Sequence, residues 1–180
     1  MKRAINPIIL VLFASLILAS CNNGATLQRY FVDNQESKNF ISQDIPISML
    51  KIDESKFTKE QKEAYKSVNR LNFLGYKASE TEAATLKAEL AKIKIILSDD
   101  RYKDLVEFSD KGNKIIVKYI GTDEDAEEVI VFGSSKELGF GIVRVLGNDM
   151  SPDKMATLVS VLQEANVDEG QLQDVMSFFK

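Results

Sequence analysis

Histidine and tryptophan are absent from this 180-residue chain, and cysteine occurs once. Without histidine there is no Ser-His-Asp triad and no Cys-His nucleophile. Without grouped histidines or thiolates there is no zinc cage of the usual ligand types. One cysteine cannot close a disulfide within the chain, so stability has to come from the core. Positive charge is not in excess either: 23 Lys and Arg stand against 27 Asp and Glu. That balance, with no basic cluster, argues against a phosphate-backbone partner such as a nucleic acid. No Walker-type glycine loop occurs. Gly139-Phe140-Gly141 lacks the third glycine and the following helix of a dinucleotide fingerprint.

Long apolar runs are also missing, with one exception. Residues 8–20 form an apolar stretch behind Met1-Lys2-Arg3, and it closes on Leu18-Ala19-Ser20-Cys21. A basic start, an apolar stretch of this length and small residues before a cut site mark a secretory presequence. A membrane-spanning helix needs about 20 apolar residues, more than this run offers. The residue after the cut is the only cysteine, which is the pattern of a bacterial lipoprotein signal. The expectation is therefore a removed segment 1–20, lipidation at Cys21, a polar tether 21–26 and one domain over 27–180. Cleavage would remove Lys2 and Arg3 and move the formal charge from −4 to −6. A cysteine of this kind carries a diacylglycerol thioether and an N-acyl chain. Two or more chains hold stably where one binds only marginally.

Leu27, Tyr30, Phe31 and Asn34 recur at helical spacing, which predicts a short helix over 26–34. Residues 40–52 read as extended, with Pro46 tolerated only near the strand's start or on an edge. Thr58-Lys59-Glu60-Gln61 is a capping box opening a helix to about Asn69, and 71–76 is a short strand. Ser79-Glu80-Thr81-Glu82 is a second capping box. Behind it Ala83, Leu86, Leu90, Ile93 and Leu97 form the stripe of a long helix. Tyr102, Leu105 and Val106 suggest a further short helix ending near Phe108. Three strands follow at 114–120, 129–132 and 140–146, joined by polar, glycine-bounded loops that predict antiparallel hairpins. Ser151-Pro152-Asp153 starts a helix with Met155, Leu158, Val159 and Leu162 inward. A last helix from Asp168 carries Leu172, Val175, Met176 and Phe179. The expected class is α+β: a mainly antiparallel five-stranded sheet with helices packed on one face.

Little catalytic chemistry remains to be placed. Ser48 with Lys51 and Ser151 with Lys154 match Ser-x-x-Lys, but the Ser-Asp-Asn and Lys-Thr-Gly partners are missing. Ser151 is better explained as a helix cap. Asp123, Glu124, Asp125, Glu127 and Glu128 crowd one loop, yet a calcium loop started at Asp123 needs Gly where Glu128 stands and Glu where Ser134 stands. Asp99-Asp100 and Asp104 with Glu107 supply carboxylates without evidence of convergence. Phe178-Phe179 and the apolar stripe before them fit packing on the sheet or a protein-binding face. A membrane-surface helix would want more Lys and Arg than Lys180 alone. No catalytic residue, metal ligand or cofactor is expected.

Leu27 to Asn34 shortly after the cysteine, Phe40-Ile41 to Ser48-Met49-Leu50, and Val143 to Met150 leading into the last helices resemble a known set of sequences. They are similar to the Bacteroidota lipoproteins grouped as domain-of-unknown-function family 4252. The resemblance implies a diderm cell envelope and brings no catalytic residues. Surface-exported lipoproteins of that phylum carry an acidic signal near the cysteine. Residues 22–26 contain no acid, which implies a position facing the periplasm; the outer membrane is the expected one, with the inner membrane left open. The functional expectation is a non-enzymatic, lipid-anchored envelope protein that binds another envelope protein or a ligand. The alternatives are a periplasmic hydrolase using carboxylate or Ser-Lys chemistry, and a membrane-sensing domain.

Overall fold

The computed structural model describes residues 25–49, 52–78, 83–110 and 112–164, with side chains described as far as Leu158. Helix α1 (Leu27–Asn34) leads to strand β1 (Phe40–Pro46) and a 3-10 turn at Ile47–Met49. After a second turn at Glu54–Lys56 come α2 (Lys59–Ser67), β2 (Val68–Lys77) and α3 (Ala83–Leu97). Four consecutive strands follow: β3 (Lys103–Asp110), β4 (Asn113–Gly121), β5 (Ala126–Ser135) and β6 (Gly139–Met150). Helix α4 (Pro152–Glu164) is the last described element. All strands share one sheet in the order β1-β2-β6-β5-β4-β3, every pair antiparallel.

Local chemistry starts the helices where the sequence predicts. Thr58 Oγ1 accepts from the Gln61 N–H at 3.2 Å, and Gln61 Oε1 accepts from the Thr58 N–H at 2.9 Å, a closed capping box. Thr26 caps α1 and Ser151 caps α4 through the N–H groups of Arg29 and Lys154. The predicted box at Ser79 to Glu82 and the predicted helix from Asp168 lie outside the described residues.

The expected α+β class holds, with two corrections. First, the sheet has six strands rather than five. The segment read as a short helix ending near Phe108 is β3. Val106 and Phe108 alternate with Glu107 and Ser109, as strand residues do. A register shift between Asp104 and Val106 places Leu105 out of step, and this bulge creates the apolar pair that mimics a helical pattern.

Second, helices cover both faces of the sheet rather than one. Even-numbered residues of β2, β5 and β6 (Leu74, Tyr76, Ile130, Phe132, Phe140 and Ile142) pack with α1 and α3 through Leu27, Phe31, Ile93 and Leu97. Odd-numbered neighbours, Val129 and Val145, pack with α2 and α4 through Ala64, Tyr65, Met155 and Leu158. Successive strand residues point to opposite faces, so these are two cores separated by the sheet. The early strands read as apolar on both sides, and that doubling is the physical reason a single covered face is insufficient.

Candidate functional site

The described helices cover the second face only in part. Cross-strand registers define three rows on it. The row Leu71, Val145, Val129 and Tyr119 lies with α2 and α4. The next runs Gln43, Phe73, Val143, Val131, Val117 and Val106, and the last runs Ile41, Gly75, Gly141, Gly133, Ile115 and Phe108. Among the described residues the helices stop short of these outer rows. Val106 is 53% exposed, Phe108 58% and Ile115 45%.

Gly75, Gly141 and Gly133 are directly paired across three strands, and the last two line the floor of a trough-like depression on the sheet. A side chain would close it. The Phe73 ring lies over Gly141, 3.2 Å from where its Cβ would sit, whereas a Cβ on Gly133 would meet nothing within 4 Å. The depression is shallow and open, about 870 Å³ between Phe73, Val143, Val131, Ile115 and Leu138, with Lys114, Lys136 and Glu137 also in its lining. A largely apolar concavity with charged groups in its lining suits the apolar face of an amphipathic segment.

Sheet edges are poorer docking sites. Strand β3 carries the bulge and the charges Lys103, Asp104, Glu107 and Asp110, and β1 ends on Pro46. Both devices obstruct pairing with a further strand.

A smaller cleft of about 630 Å³ lies between α1 and α3, lined by Thr26, Arg29, Tyr30, Lys92 and Ile95 among others. Two of its lining residues, Tyr30 and Lys92, bond Glu89, a buried carboxylate. Tyr30 Oη donates to Glu89 Oε2 at 2.8 Å, and Lys92 Nζ donates to Oε1 at 2.6 Å. Burial, then the Glu89 hydrogen bond, push the Tyr30 phenol far above its ordinary value of 10.0. The folded chain thus holds the neutral phenol while the unfolded chain ionises it near 10. This contribution is complete below that pH and drains away as pH rises beyond it. Tyr30→Phe is expected to flatten the loss of stability between about pH 8 and about pH 11, measured by urea midpoints.

Among the described residues the candidates for chemistry do not converge. Ser48 sits in the 3-10 turn, and Lys51 and Cys21 lie outside the described residues. Lys154 turns its ammonium to the carbonyl and carboxylate of Asp149, while Ser151 caps its helix. In the acidic segment Asp123 accepts from Tyr119 Oη at 2.7 Å, and Asp125 from the Asp149 N–H at 2.8 Å. Glu128, expected in that loop, belongs to β5 and forms a buried bidentate pair with Arg144 at 2.7 and 2.8 Å. Asp99 binds Arg101, whose hydrogen bonds hold its carboxyl below the usual range. Asp104 pairs with Lys118 and Glu107 with Lys114. No group of three or more potential metal ligands is found among the described residues. No helix among them is long and apolar enough to cross a membrane.

The trough escaped sequence reading. Each glycine lies inside a strand pattern, which hints at close approach, but only the register shows that they abut.

These features define an α+β protein with a six-stranded antiparallel sheet, one face of which, among the described residues, keeps an open and largely apolar trough. Residues 30–158 match the family described as Domain of unknown function (DUF4252), and the chain belongs to it. No curated protein and no solved structure matches the chain.

Proposed function

We propose that the protein is a lipid-anchored component of the cell envelope that acts by binding rather than by turnover. The anchor is Cys21, and the domain faces the periplasm from the outer membrane. Support for the anchor comes from the basic start, the apolar run and Leu18-Ala19-Ser20 before the lone cysteine. The single observation that carries the binding role is the glycine-floored trough with Val106, Phe108 and Ile115 exposed beside it. Contiguous exposed apolar surface of this kind marks an interaction site. An amphipathic segment of an envelope protein is the matching partner class.

A photo-crosslinking residue at Ile115, introduced into the full chain in intact cells, tests this. The expected product is a reproducible adduct with one envelope protein, lost when Gly133→Glu fills the trough. Absence of any specific adduct, together with substrate turnover by the purified protein, would overturn the binding role.

A further inference from the structure

We infer that the outer face of α3 rests on an anionic bilayer surface, so that the trough points away from the membrane. The inference rests on the lipid anchor proposed at Cys21, and it adds which side of the domain turns toward lipid. Ala25 and Thr26, where the described chain begins, line the α1–α3 cleft together with Lys92 and Ile95. Cys21 lies four residues before Ala25. At most about 14 Å of backbone therefore separates the anchored residue from that cleft. Helices α1 and α3 cover one face of the sheet, and the trough lies on the other.

The charges of α3 match such a surface. With about 100° between successive residues, Ala91 and Ile95 fall at the middle of its outward arc. Lys87 and Lys94 flank them on one side and Lys92 on the other. All five are exposed, Ile95 by 67%. Glu89, the one acid of α3, is buried against Tyr30. The exposed charges of α3 are thus all positive, on a chain whose net charge is −4. Helix α2, by contrast, mixes Lys59, Glu60, Lys62 and Glu63. Nearby acids are neutralised locally, Asp33 by Arg29 and Asp99 by Arg101. An acidic domain tethered to an anionic surface turns its basic side to that surface. Ile95 then meets the acyl boundary while the flanking lysines reach the headgroups.

The absence of tryptophan supplies a clean reporter. Ile95→Trp in the purified full chain, reconstituted into vesicles of phosphatidylglycerol and brominated phosphatidylcholine, is expected to be quenched by the bromines, which act at contact range. Ile115→Trp, on the opposite side of the sheet, is expected to keep its emission. Adding Lys87→Glu and Lys94→Glu to Ile95→Trp should lower the docked population by about 25-fold or more, since each lysine near an anionic surface counts for about fivefold. Both lysines are exposed, and Lys92 is kept for Glu89. Vesicles of brominated phosphatidylcholine alone should relieve the quenching without any charge substitution. The protein should still float with the vesicles in every case. Flotation with an unquenched Ile95→Trp, or equal quenching at both positions, overturns the orientation and leaves the anchor standing. Quenching that survives both charge reversal and neutral lipid overturns recognition of an anionic surface. Failure to float overturns the anchor, and the orientation with it.

Discussion

Replacing Arg144 with alanine is expected to destabilise the protein by about 3–5 kcal/mol, a large part of the stability of an ordinary domain. The guanidinium lies under α1 on the covered face, 5.3 Å from the centre of the Phe31 ring. It gives Nε to one Glu128 oxygen and Nη2 to the other. Side-chain exposure is 10% for Arg144 and 11% for Glu128, so water cannot take over from a lost partner. Alanine at position 144 leaves a desolvated carboxylate unpaired, and Glu128→Ala leaves the converse. The pair itself is a weaker stabiliser than this loss suggests, because both charges were desolvated to make it. Replacing both residues together by leucine is therefore expected to restore most of the urea midpoint. A single-variant loss below about 1 kcal/mol would mean that the pair behaves as an exposed one.

That pair also shows where the sequence was legible and where it was not. Arg144 within an apolar strand signals that a partner must exist, since an unpaired charge does not stay buried. The partner was hidden because Glu128 sits among Asp123, Glu124, Asp125 and Glu127 and reads as a solvated loop acid. Strand β5 begins at Ala126, and its opening acids mask the strand pattern. Capping boxes and helical stripes act over three or four residues, so Thr58 to Gln61 and Leu86 to Leu97 were readable directly. Strand β3 was lost to one extra residue, because a bulge at Asp104 to Val106 breaks the period of two. Partial coverage of the second face by the described helices and the Gly75-Gly141-Gly133 row depend on long-range register. No local pattern encodes it.

The second large effect concerns where the protein resides. Each methylene of an attached acyl chain contributes about 0.8 kcal/mol to membrane binding, and two or more chains hold a protein stably. The proposed attachment depends on one sulfur. Cys21→Ser offers no thiol for the thioether and is expected to remove the protein from the outer-membrane fraction. The change should leave the fold untouched, since the described residues 27–158 already form two cores.

Metabolic labelling with an alkyne analogue of palmitate, compared between the wild-type chain and Cys21→Ser, measures that attachment itself. The account predicts a labelled wild-type protein and complete loss of label in the variant. An unlabelled wild type, or equal label in the serine variant, would contradict it.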